Sequence, residues 1–199
     1  MAAKDSQVLE YLLETEDLRG CIDQPVRGEW SPLGCAIALG NERAIDLLLS
    51  YRANVNQSSS LRGYNALHIC TIYARANSAG IALKLISRSH KLVNSRSLSG
   101  YTALDYAAVA GSIPLMSLLA ARGAQSVAAS NVFTPLGSAI IYWSELAVEE
   151  MCNIHAKRKV PLIAAFETRG SMVTMYVEAI GPLRMIFNLE RKSPKETVR

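Results

Sequence analysis

No apolar run in this chain approaches the length of a membrane span. Its first residues, Met1-Ala2-Ala3-Lys4-Asp5-Ser6, lack the apolar core of a secretory signal. There is no Gly-rich phosphate loop, no His-Glu-x-x-His and no Gly-x-Ser-x-Gly. Only three His and four Cys occur in 199 residues, and Cys21, Cys35, Cys70 and Cys152 form no Cys-x-x-Cys pair. That excludes zinc-finger spacing and suits a reducing cytosol or nucleus. His68 and Cys70 are close in sequence, but such neighbours on a helix point apart. His90 and His155 have no carboxylate cluster beside them. A formal charge of +4 without a Lys-rich stripe argues against a nucleic-acid groove. The expectation is a protein that is not an enzyme, binds no metal or cofactor, and presents no evident small-molecule site.

What the chain does have is a period. Four stretches begin with an aromatic residue and end in leucine: Trp30-Ser31-Pro32-Leu33, Tyr64-Asn65-Ala66-Leu67, Tyr101-Thr102-Ala103-Leu104 and Phe133-Thr134-Pro135-Leu136. The leucines are 34, 37 and 32 residues apart. Self-similarity at this interval is the mark of a repeat array. The third unit continues Asp105-Tyr106-Ala107-Ala108-Val109-Ala110-Gly111, then an apolar stretch from Ile113 to Leu119, then Gly123-Ala124. The first continues Gly34-Cys35-Ala36-Ile37-Ala38-Leu39-Gly40, then Ile45 to Leu49, then Ala53-Asn54-Val55-Asn56.

Elementary helix chemistry explains the unit. Ser31, Asn65, Thr102 and Thr134 stand where a side-chain oxygen caps a helix N-terminus. Pro32 and Pro135 follow at the first helical position, where a missing N–H costs nothing. An Ala-rich inner helix is narrow and lets neighbours approach. A second helix carries the apolar face, as in Ile45, Leu48 and Leu49 or Leu115, Leu118 and Leu119. One unit cannot bury that face alone, whereas several stacked units can.

The pattern resembles the ankyrin repeat over about residues 28 to 158. Four units are recognisable there. Residues 1–27 read as an N-terminal capping helix or partial repeat, 159–181 as a degenerate closing repeat, and 182–199 as a polar tail. The fold class implied is all-α, an α-solenoid of stacked helix-turn-helix repeats with short β-hairpin fingers. The pattern's His appears only as His68, with Gly34, Asp105 and Gly137 elsewhere. Arg52 replaces the Gly that closes a unit, a substitution that costs about 1 kcal/mol if Arg52 is left-handed. The second unit is about three residues longer, in the Ala76–Gly80 or the Ser87–Lys91 segment. Residues 5 to 19 read as an amphipathic helix with a stripe of Val8, Leu9, Leu12 and Leu13, its acidic residues Glu10, Glu14, Glu16 and Asp17 facing water. After Val160, a closing helix pair and a short strand at Met172–Val177 both fit.

The resemblance implies a protein-binding module or adaptor with a protein partner of unknown identity. It places Trp30, Tyr64, Tyr101 and Phe133 on the inner side of the fingers, as a ladder that either binds or packs. Leu61 and Leu98 share a fingertip offset. Arg27, Arg62 and Arg96 lie on successive fingers and favour an acidic-aromatic or acidic-apolar peptide. Tyr73 and Tyr142 stand out among the inner-helix ends Ala38, Leu39, Ile72, Val109, Ala110 and Ile141. The compartment expected is the cytoplasm, with the nucleus as the alternative suggested by His155-Ala156-Lys157-Arg158-Lys159. The rival functions are a nuclear or nucleic-acid-associated regulator, and a targeting subunit for a separate enzyme such as a ubiquitin ligase.

Overall fold

The computed structural model describes residues 2–14, 20–25, 29–74, 77–125, 135, 139 and 145–158. Among them run eight α-helices: α1 (Ala2–Glu14), α2 (Pro32–Ala38), α3 (Glu42–Ser50), α4 (Ala66–Tyr73), α5 (Ser78–Arg88), α6 (Ala103–Val109), α7 (Ile113–Ala121) and α8 (Glu145–Arg158). A 3-10 turn, His90–Asn94, follows α5. The described part of the chain is all-α, and no helix in it is long and apolar enough to cross a membrane.

The short helices begin where the sequence places polar caps. Ser31 Oγ accepts the Gly34 N–H at 3.2 Å. Asn65 Oδ1 accepts those of Leu67 and His68, each at 3.0 Å. Thr102 Oγ1 accepts that of Asp105 at 3.4 Å. Thr134 lies outside the described residues. Behind each cap, Leu33, Leu67 and Leu104 are fully buried at one register. Helices α2, α4 and α6 pack side by side in chain order, and each pairs with the helix after it, α3, α5 and α7. Helix α8 packs on α7 and α6. The residues that pair with α8 by sequence are described only at Pro135 and Ala139, both buried.

No strand forms among the described residues beyond a single bridge at Trp30. Where hairpin fingers are expected there are tight turns. Ser59 donates its N–H to the Tyr64 carbonyl at 2.9 Å, and Ser97 donates to that of Tyr101 at 2.9 Å. These turns reverse the chain too quickly for a ladder to form. The longer second unit divides its extra residues. The link between α4 and α5 covers residues 74–77, where residues 39–41 suffice between α2 and α3. Helix α5 has 11 residues, against 9 in α3 and in α7.

Helix α1 departs from the expected cap. It spans Ala2–Glu14, and residues 15–19 lie outside the described residues. Leu13 is buried and Leu9 half-buried toward the core, while α1 packs on α3. Val8, Leu12 and Tyr11, the last 69% exposed, face outward.

Side-chain bonds join units at recurring positions. The Asn54 N–H donates to Asp23 Oδ1 at 2.8 Å, and the Gln125 N–H to Asn94 Oδ1 at 2.7 Å. Arg88, the last residue of α5, donates to the Leu49 carbonyl at 3.2 Å. Arg158, the last of α8, donates to the matching carbonyl of Ala120 and also to that of Ala124. Each guanidinium supplies a donor and a positive charge where a preceding helix ends with unsatisfied carbonyls.

Arg52 adopts the left-handed conformation, with φ of 65°. The Ala53 N–H then reaches the Leu48 carbonyl at 2.9 Å. Gly123, with φ of 82°, makes the same closure, the Ala124 N–H meeting the Leu119 carbonyl at 2.9 Å. A Cβ on Gly123 would meet nothing within 4 Å, so backbone strain alone separates the two positions. Arg52→Gly is expected to stabilise the protein by about 0.5–1 kcal/mol and Gly123→Ala to destabilise it by a similar amount. Urea unfolding of the two variants beside wild type tests this, and unchanged midpoints would contradict it.

Candidate functional site

The turns that lead into α4 and α6 are each fastened by a buried serine. Ser59 Oγ accepts the Tyr64 N–H at 3.1 Å, and Ser97 Oγ accepts that of Tyr101 at 3.3 Å. The Gly63 and Gly100 N–H groups close on the carbonyls of Ser59 and Ser97, each at 2.9 Å. Neighbouring turns are also bonded to each other, since the Leu98 N–H donates to the Arg62 carbonyl at 3.0 Å. Gly63 has φ of +65°, and a Cβ there would lie 2.9 Å from the Leu98 backbone nitrogen. Only glycine permits that approach.

Between these turns lies a cluster that the sequence reading did not find. Tyr106 of α6 packs against Tyr64 at 5.5 Å between ring centroids, against His68 at 5.7 Å and against Tyr101 at 5.6 Å. Its hydroxyl lies 3.2 Å from Ser97 Oγ and 3.5 Å from the Tyr64 hydroxyl. Tyr106 stands at the register of Cys35 and Ile69, and a large amphipathic ring in a column of smaller residues was the available signal.

Of the aromatic ladder, which either binds or packs, Tyr64 is 7% exposed and packed. Tyr106 and His68 enclose its ring, and the Arg62 guanidinium lies 6.0 Å from its centroid. Tyr101 is half-buried against Tyr106. Trp30 is half-buried against Tyr73, ring centroids 4.9 Å apart, and Tyr73 keeps an exposed edge. Arg27, Phe133 and Tyr142 lie outside the described residues, as does Ile141. What stands clear of the surface is aliphatic: Leu61 and Leu98 at the turn tips are each 72% exposed, and Leu39 at the end of α2 is 82% exposed. Arg62 and Arg96 are exposed beside them.

Two buried titratable groups occupy one register on adjacent helices. His68 Nδ1 accepts the Asn65 N–H at 3.2 Å, completing a reciprocal cap. Asp105 does the same for α6, its Oδ2 accepting both the Thr102 N–H and the Thr102 hydroxyl at 2.7 Å. Burial holds the His68 imidazole down at about 4, with the Tyr101 and Ser95 carbonyls acting the other way. Burial raises the Asp105 carboxyl to about 6, against its bonds to Thr102. Cys70 is fully buried, its thiol 3.2 Å from the Ser78 carbonyl and pushed up to about 12 by burial. Such a thiol is protonated at neutral pH and is a poor nucleophile. Cys35 is half-buried.

The basic run falls on the end of α8. His155 is buried and Arg158 is bonded to carbonyls of the preceding unit, which leaves Lys157 exposed among the described residues. Among those residues no group of three His, Cys, Asp or Glu side chains is placed to hold a metal ion.

Comparison with known proteins gives a distant likeness. No family model matches the chain. The mouse (Mus musculus) nuclear factor NF-kappa-B p105 subunit is 30% identical over 152 residues, which cover 75% of this chain and 15% of that protein. The matched region is thus a small part of p105, a protein that contains ankyrin repeats.

The two buried caps have opposite effects on stability against pH. An imidazole at about 4 in the fold and 6.5 when free stabilises the protein above pH 6.5, and that contribution is lost as pH falls toward 4. A carboxyl at about 6 in the fold and 3.8 when free stabilises it below pH 3.8, and that contribution is lost as pH rises through 6. Between those limits the two slopes oppose each other. Thermal melts by circular dichroism across this range are expected to show Asp105→Asn losing stability on acidification more steeply than wild type. His68→Gln is expected to lose it less steeply. Parallel curves for all three would mean that neither group titrates on unfolding.

Proposed function

We propose that this chain is a protein-binding module of the ankyrin type, an adaptor that docks a partner protein on its turn tips and the groove beside them. Residues 28–158 would form four repeats of one solenoid, with 1–27 and 159–181 as terminal units and 182–199 as a tail. The observation that carries this reading is the pair of exposed leucines, Leu61 and Leu98, set on tips that are bonded to one another. Large apolar side chains held in water by an ordered backbone serve no packing purpose where they stand. Tips fixed before contact lose little freedom on binding. The chain-order packing of capped helix pairs and the likeness to an ankyrin-containing protein support the same reading.

Docking of this kind requires no cofactor and no turnover. Tyr73, Leu39 and the edge of Trp30 would supply the apolar groove, with Arg62 at its tip. A nuclear regulator is the second reading, favoured by the name of p105, a nuclear factor. The basic run lends it less support, because His155 and Arg158 have roles inside the fold. A targeting role for a separate enzyme would use the same surface.

Affinity purification with mass spectrometry tests the module reading, comparing wild type with Leu61→Ser/Leu98→Ser and using circular dichroism to confirm that both are folded. Proteins captured by wild type are expected to be absent from the variant. An unchanged set would remove the tips from the binding surface.

A further inference from the structure

The charge along this chain is segregated. No Asp or Glu occurs between Asp46 and Asp105, a stretch that holds seven Lys and Arg residues. The ends of that stretch offer little compensation. Asp46 is engaged by Lys84 Nζ at 2.6 Å, and Asp105 is buried in its cap. Arg88 is bonded to the Leu49 carbonyl. The cations that remain on the joined tips are Arg62 and Arg96. Arg96 donates to the Gly100 carbonyl of its own turn at 2.8 Å, which holds its guanidinium beside Leu98. Neither arginine is within ion-pair distance of a carboxylate among the described residues. Carboxylates of the neighbouring helices, Glu10, Glu42 and Asp46, instead meet Arg43 and Lys84 on α3 and α5.

Resting on the module reading, we propose that the tip surface of Leu61, Arg62, Arg96 and Leu98 binds an extended protein segment in which acidic residues alternate with large aliphatic ones. Two leucines flanked by two guanidiniums present apolar area and positive charge in the same strip. An acidic-aliphatic segment answers both, covering the leucines while its carboxylates take bidentate bonds from arginine. Nucleic acid answers only the charge. Tyr64 and Tyr101 are turned into the Tyr106 cluster, Tyr73 is packed on Trp30 and shows only an edge, and leucine gains nothing from phosphate. Positive charge on exposed tips acts chiefly on encounter and partner choice, so binding weakens as salt rises.

The test is fluorescence anisotropy with a labelled peptide of repeated Glu-Leu-Glu-Ser, alongside peptides with Gln for Glu or Ala for Leu, and labelled oligothymidylate. The Glu-Leu peptide is expected to bind most tightly. Its affinity should fall at least about tenfold in the folded Arg62→Glu/Arg96→Glu protein and on raising salt from about 0.05 to about 0.3 M. A similar loss is expected in Leu61→Ser/Leu98→Ser, while Lys84→Ala leaves affinity unchanged. Equal binding of the Gln peptide, or tighter binding of oligothymidylate, overturns the proposal. If the Glu-Leu peptide fails to bind while cellular partners still require Leu61 and Leu98, the acidic class is wrong and the module reading stands. If those partners are also indifferent to the leucines, both fall.

Discussion

Helices of seven to nine residues do not persist alone in water, because nucleation fixes several residues for each hydrogen bond gained. Helices α2, α3, α4, α6 and α7 are all this short. They exist because α2, α3, α4 and α6 are capped by a side chain at the start, α7 has Pro114 in its first turn, and all are pressed against neighbouring helices. The buried series Leu33, Leu67 and Leu104 shows how one apolar position serves two interfaces at once. Stability is therefore shared between units, and a weak unit such as the one ended by Arg52 is held by those beside it.

The leucine period was legible because it recurs at 34, 37 and 32 residues, and the caps and the strained Arg52 because each depends on residues a few positions apart. The relevant physics is local, and sequence spacing reports it directly. Contacts between units were not legible in the same way. The register of Tyr64 is that of a finger residue facing the groove, which leaves binding and packing both open. What buries it is the size of Tyr106, forty-two residues later, where the other units have Cys35 and Ile69. Register fixes the direction of a side chain, whereas exposure depends on the neighbour it meets. Ser59 and Ser97 escaped notice for a related reason, since a serine in a polar turn carries no mark of being the one that fastens it.

The interior cluster also shapes the exterior. With Tyr64 and Tyr101 packed against Tyr106, the turns lose their aromatic faces to the core and gain fixed geometry. Aliphatic and cationic side chains are left on the outside. The turns are already closed by Ser59, Ser97 and the bond from Leu98 to Arg62, so on the proposed module reading affinity would rest on preorganisation more than on area. His68 and Asp105 illustrate how one structural position accepts opposite chemistry. Both complete a cap, and burial shifts both toward the neutral form, lowering the imidazole and raising the carboxyl.

The bond from the Leu98 amide to the Arg62 carbonyl crosses between units, unlike the bonds inside a helix. Fraying of α4 or α6 leaves it intact, and only separation of the two turns exposes the amide to solvent. Hydrogen exchange at that single backbone site therefore measures the opening of a joint in the array, apart from the unravelling of either helix pair. The amides of Asn54 and Gln125, held by Asp23 and Asn94, mark two more joints along the same chain. Together the three sites give a residue-level readout of where the stack parts first.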